Sequence, residues 1–150
     1  MSLEIILIPL AIALITKVQS NTNEDNPNAA AHQVAVETRM KNLELLQNAM
    51  RNIGCTTAMQ ENEIVASLNS LNFNFKKNSQ GIWAATFVAG TTLEAAEQII
   101  AQIDKAYGIE VQAEVLRKIK ERAPQSGMTL ESETINEDSS VTLVLAVNQA

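Results

Sequence analysis

The chain offers few groups that could do chemistry, and they do not converge. His32 is its only histidine and Cys55 its only cysteine. One His and one Cys cannot build a standard zinc site without carboxylates, and a lone cysteine forms no disulfide within the chain. No HExxH sequence, glycine-rich phosphate loop or nucleophile elbow is present. Carboxylates remain as acids or bases. Glu131, Glu133, Glu137 and Asp138 make an acidic run, in which Glu131 and Glu133 have the spacing of neighbours on one outward strand face. That spacing is not the ligand pattern of an EF-hand loop, and a solvated strand is the expectation. The same holds for Glu61 and Glu63. Arg117, Lys118, Lys120 and Arg122 could touch a phosphate or an acidic membrane, but Glu114 and Glu121 are interleaved with them, as on a solvated helix. No catalytic residue, metal site or cofactor is assigned.

Binding is better served than catalysis. Trp83 and Phe87 fall on one face of a predicted strand with Ala85 between them. Under a helix they are core; exposed, they would line a shallow partner groove. His32 stands at the start of another predicted strand, an edge or surface position open to a ligand or partner. Asn69, Asn72, Asn74 and Asn78 suit strand edges and turns.

Composition narrows the partners. Seventeen acidic against eleven basic residues give a net charge of −6, which opposes non-specific nucleic-acid binding. Hydrophobic residues make up 46% of the chain and aromatics 3%, so a core is expected and must be mostly aliphatic. Cys55, beside Gly54 and with no basic cluster flanking it, reads as structural.

These residues need elements to position them. Val34 and Val36 alternate with polar neighbours as in a half-buried strand. Leu43, Leu46, Met50 and Ile53 recur at helical spacing, with Asn42 as N-cap and Gly54 at the left-handed exit. Thr56–Gln60 and Ile64–Leu68 are candidate short strands, the second also readable as a helix turn. Leu71–Lys76 and Ile82–Ala89 form a hairpin about an Asn78–Gly81 turn. Thr91 or Thr92 caps a helix with Leu93, Ala96, Ile99, Ile100 and Ile103 on its buried stripe. Tyr107-Gly108 marks a break before a second helix over roughly 110–123, and Pro124 ends that one. Met128–Ile135 and Val141–Val147 make a terminal hairpin. The expected fold is α+β, an antiparallel sheet with helices packed on one face.

Ahead of this domain (32–150) lie two other segments. Residues 1–18 are the most apolar, with an unbroken run from Ile5 to Ile15 containing Pro9. The run is short of the roughly twenty residues that cross a bilayer. Residues 1–18 are expected to be an apolar N-terminal helix, read as a membrane anchor (a transmembrane helix), a docking helix or a cleaved targeting segment; Ser2 and Glu4 do not make the basic start of a secretory signal. Residues 19–31, rich in Asn and carrying Pro27, read as a polar linker.

The stretch His32-Gln33-Val34-Ala35-Val36-Glu37-Thr38-Arg39-Met40-Lys41-Asn42-Leu43 resembles the opening of a family of small plastid and cyanobacterial proteins. It is the family of the conserved chloroplast reading frame thirty-five, a domain of unknown function. There a short strand ending in Thr precedes a helix with Leu pairs and a Leu-Gly exit. His32, Thr38 and Gly54 match those positions, and Gly127 through Leu145 resembles the family's terminal hairpin, with Asp138-Ser139-Ser140 at its turn. The chain departs in its apolar leader, in its end at Val147-Asn148-Gln149-Ala150, and in keeping only Tyr107 of a tyrosine-rich segment. The resemblance implies an α+β fold, a plastid or cyanobacterial source and no known activity. Some bacterial relatives look like neighbours of AAA-type ATPases, which implies an adaptor role.

The expected function is a non-catalytic interaction or assembly module, tethered through Leu3 to Val18 to a membrane or larger complex and binding a protein partner. The alternative is a small-molecule-binding regulatory domain, and after it an enzyme using Glu, Asp or His32. The binding candidates are His32, Trp83, Phe87 and Tyr107. The expected place is a plastid or cyanobacterial membrane, otherwise the cytoplasm or stroma.

Overall fold

In the computed structural model, which describes residues 1–7 and 33–148, Asn42 opens a helix. Its Oδ1 accepts the Leu45 amide at 3.1 Å, so one orphan N–H of the first turn is satisfied. Helix α1 runs Leu43–Asn52 and buries Leu46, Ala49 and Met50. Gly54 follows with φ +88°, a conformation that a side chain would strain by about 1 kcal/mol.

Five strands surround α1 in the sequence. They are β2 (Val34–Glu37), β3 (Thr56–Gln60), β4 (Glu63–Leu68), β5 (Leu71–Lys77) and β6 (Trp83–Phe87), and they form an antiparallel sheet in the order β2-β6-β5-β4-β3. Both candidate short strands are present. They exist because two-residue turns close their hairpins: Gln60 pairs with Glu63, and Leu68 with Leu71. Asn69 and Ser70 both take positive φ, 51° and 66°, the mirror-image turn that matches the right-handed twist of the strands.

One face of this sheet is apolar and buried: Val34 and Val36, Ile64 and Ala66, Phe73 and Phe75, Trp83, Ala85 and Phe87. Phe73 stands edge-on to Phe75 at 5.9 Å and tilted against Phe87 at 5.1 Å. Leu46 and Met50, with Ile99, Ile100 and Ile103, are buried in the same compact unit, which comprises residues 33–107.

A second compact unit takes residues 1–7 and 108–148. Its sheet has the order β1-β8-β7, from β1 (Ser2–Leu7), β8 (Val141–Val147) and β7 (Met128–Ile135). Here the expected N-terminal apolar helix over residues 1–18 is corrected at its start, the only part of it that lies among the described residues. Ser2–Leu7 is a strand, with Leu3 opposite Leu145, Ile5 opposite Leu143 and Leu7 opposite Val141. A short apolar run cannot be assigned by periodicity, and isoleucines favour a strand beside an apolar partner. The transmembrane helix falls as well: among the described residues no helix is long and apolar enough to cross a membrane. The rest of the leader, the polar linker and His32 lie outside the described residues.

Two further readings change. Helix α2 is continuous over Leu93–Arg122, with no break at Tyr107-Gly108. Glycine inside a helix costs only about 1 kcal/mol relative to alanine, and Lys105, Ala106 and Glu110 nearby are good helix formers. Thr92 Oγ1 accepts the Ala95 amide at 3.1 Å, so Thr92 acts at its start. A turn of 3₁₀ helix, Pro124–Ser126, then leads into β7. The β7–β8 ladder bulges between Leu130 and Ser132, which leaves Glu131 without a partner and sets Glu133 opposite the buried Leu143. By register Glu133 lies on the Leu143 side of the sheet, yet Glu131 and Glu133 are both exposed, as a solvated strand requires, and Lys120 Nζ meets Glu133 at 2.6 Å.

Candidate functional site

The aromatic candidates are core residues. Trp83 is 4% exposed, Phe87 0% and Tyr107 7%. Each has a structural task. The Trp83 amide donates to the Met40 carbonyl at 2.9 Å. The Thr38 hydroxyl donates to the Trp83 carbonyl and accepts the Met40 amide. Tyr107 Oη accepts the amides of Lys41 at 3.3 Å and Asn42 at 3.1 Å. Together they pin residues 38–42, the connection that aims α1. Lys77 Nζ sits 5.5 Å from the centre of the Trp83 ring. Trp83 Nε1 has no hydrogen-bond partner among the described residues.

Tyr107→Phe tests this assignment. It leaves two amides beside α1 short of an acceptor while the ring stays packed, so a loss of about 1–3 kcal/mol is expected. Urea unfolding followed by far-UV circular dichroism measures it, and a change within error would show that water replaces the hydroxyl.

The polar candidates are occupied. Arg117 bridges Glu114 and Glu121, each at 2.7 Å, and Lys118 lies 3.8 Å from Glu114. The Arg117 hydrogen bond holds the Glu114 carboxyl below the usual carboxylate range. Lys120 is committed to Glu133. At the β7–β8 turn, Asp138 Oδ1 accepts the Ser140 hydroxyl at 2.5 Å and its amide at 3.0 Å, and the hydroxyl bond above all keeps this carboxyl low. Burial pushes the Cys55 thiol up, away from the thiolate that nucleophilic chemistry needs. Among the described residues no three His, Cys, Asp or Glu gather in a metal-binding group.

Among the described residues, the other face of the five-stranded sheet is half-buried to exposed. Strand register fixes its rows, because directly opposite residues share a face. Ala35, Thr86, Asn74, Val65 and Ala58 form one row from edge to edge. Asn72, Ser67 and Thr56 form a parallel row on one side. Neither row carries a charge. On the other side the row Glu37, Ala84, Lys76, Glu63 and Gln60 does, and there Glu63 accepts from Asn74 Nδ2 at 2.9 Å and lies 3.5 Å from Lys76 Nζ. A hollow of about 230 Å³ lies at the uncharged end, between Gln33, Asn72, Asn74, Thr86, Val65 and Val88. It is smaller than the roughly 300–1,000 Å³ of typical small-molecule sites. The same two-residue alternation that exposed the core face in the sequence also marks this one, since its residues occupy the positions in between.

No family model, no curated protein and no solved structure matches the chain, so the resemblance to the plastid and cyanobacterial family rests on its sequence motifs alone.

Proposed function

We propose that this chain is a non-catalytic interaction module that works by docking a protein partner within a larger assembly. The observation that supports the reading is the open face of the five-stranded sheet. Its centre is uncharged and built of small side chains, with Val65 37% exposed, and its charges are confined to the Glu37–Lys76–Glu63 row. Protein interfaces have this distribution, a centre depleted of charge inside a polar rim. Short side chains across several strands leave a flat surface that another sheet or a helix can approach closely.

The test combines capture with affinity. Benzoylphenylalanine placed at Val65 or Thr86 in the full chain, expressed in its own host, should trap one discrete protein on illumination, and the same group at Lys118 should not. Val65→Arg should then weaken binding of that protein by roughly tenfold or more, with folding unchanged within about 0.5 kcal/mol. Equal binding by Val65→Arg, or the same adducts from Lys118, would overturn the reading.

A further inference from the structure

Two rows of residues bound the hollow in the five-stranded sheet. Gln33 continues the register that pairs Val34 with Phe87, so it stands beside Val88. Asn72 stands on the other side of Val88, where its carbonyl accepts the Val88 amide at 3.2 Å. Thr86, Asn74 and Val65 follow one another in the next row. Phe73 and Phe87 also line the hollow. Both are buried with their rings packed together in the core, so what they turn to the hollow is backbone.

Size and chemistry together narrow the occupant. The volume of about 230 Å³ is more than the roughly 150 Å³ that holds a benzene ring in an engineered protein cavity. It is less than the roughly 300 Å³ at which sites for whole small molecules begin. One aromatic side chain falls in that interval. No charged residue lines the hollow, so an ammonium, guanidinium or carboxylate entering it would give up water without gaining a partner. Val65 and Val88, 37% and 46% exposed, give a ring apolar contacts. The polar groups are the amides of Gln33, Asn72 and Asn74 and the hydroxyl of Thr86. Asn74 Nδ2 donates to Glu63 Oε2 at 2.9 Å, which leaves Asn74 Oδ1 as an acceptor. A phenol both donates to such an oxygen and accepts from amide N–H groups; an indole only donates, and a phenyl ring does neither.

We propose that this hollow takes one tyrosine side chain of the partner that docks on the face. This anchor rests on the docking reading and specifies what the partner brings to it. Protein interfaces concentrate their binding energy in a few such anchors, tyrosine prominent among them, each seated in a pocket and surrounded by weaker contacts. The small side chains of Ala35 and Ala58 at the two ends of the central row leave the backbone that carries the tyrosine free to approach the sheet.

Phenol stands in for the tyrosine side chain, and heteronuclear NMR of the isotope-labelled full chain reads its binding without any partner. Phenol is expected to shift the amides of Gln33, Val65, Asn72, Asn74, Thr86 and Val88 and to saturate in the millimolar range, which a ligand of about seven heavy atoms can reach. Benzene, which lacks the donor, should bind roughly three- to tenfold more weakly, the worth of one hydrogen bond. Benzoate should leave these amides unmoved. Asn74→Leu keeps a side chain of similar size and removes the acceptor, so it should lower the preference for phenol over benzene while circular dichroism stays unchanged. No shift at these amides by roughly 20 mM phenol overturns the tyrosine anchor. So does equal binding of phenol and benzene, or a preference that Asn74→Leu leaves untouched. Each of these failures removes the anchor and leaves the docking face to be judged by capture from Val65. Phenol binding without capture from Val65 overturns the anchor as well, the hollow then serving a free phenolic molecule.

Discussion

Phe87→Ala should cost the chain about 3–5 kcal/mol, the range for removing a fully buried aromatic from a core that cannot close over the gap. Phe87 is 0% exposed. It sits at the crossing of two ladders, opposite Val34 on β2 and opposite Phe73 on β5, with the Phe73 ring 5.1 Å away. Aromatics make up only 3% of the chain, so aliphatic neighbours would have to move in from several strands at once, and sheet hydrogen bonds hold those strands in place. Urea unfolding should show a large fall in midpoint with little change in slope. Phe87→Leu, which keeps most of the volume, should cost about 1 kcal/mol. Val65→Ala, on the other face of the same sheet, should stay within about 0.5 kcal/mol. If Phe87→Ala were as mild as Val65→Ala, the ring would not be core, and its candidacy as a partner-binding residue would reopen.

That contrast explains what could be read in advance. The alternation of Phe73, Phe75, Trp83, Ala85 and Phe87 with polar or small residues identifies a strand pair with two faces. It does not say which face is covered, because Trp83 and Phe87 are equally at home under a helix or in a groove. Asn42 and Gly54 framed α1 correctly, since capping chemistry is local. The hairpins of β3, β4 and β5 were harder, because Glu61-Asn62 and Asn69-Ser70 make two-residue turns without the glycine that usually announces one. Tyr107-Gly108 reads as a break, yet the helix runs through it, because the cost of one glycine is small against the hydrogen bonds on either side. Tyr107 is a candidate by resemblance, and its role is tertiary: the amides that its hydroxyl oxygen accepts lie more than sixty residues away in the chain, on Lys41 and Asn42. The largest miss, Ser2–Leu7, follows the same logic. Nothing local distinguishes an apolar strand from an apolar helix over six residues; only the apolar face of β8 decides it.

The dependence of β1 on β8 leads to the second large effect. Leu143→Ala should destabilise the three-stranded sheet by about 2–5 kcal/mol. In the unit of residues 1–7 and 108–148, the fully covered apolar side chains among those described are few: Ala123, Val141, Leu143 and Leu145. Leu143, 0% exposed, lies at the middle of β8, between Ile5 on one side and Glu133 on the other. Its removal uncovers both neighbours. Ile5 loses the apolar surface that makes a strand the better choice for Ser2–Leu7, and Glu133 gains water that competes with Lys120. Breaking that ion pair alone, by Glu133→Gln, should cost no more than about 1 kcal/mol, because both partners are partly exposed, 43% and 31% for the side chains. Amide hydrogen exchange separates the two. In Leu143→Ala the amides of Leu3, Ile5 and Leu7 should lose protection together with those of β8, whereas Glu133→Gln should leave them protected. Protection of the β1 amides in Leu143→Ala equal to that of the unmodified chain would mean that β1 is held by something other than the β8 face.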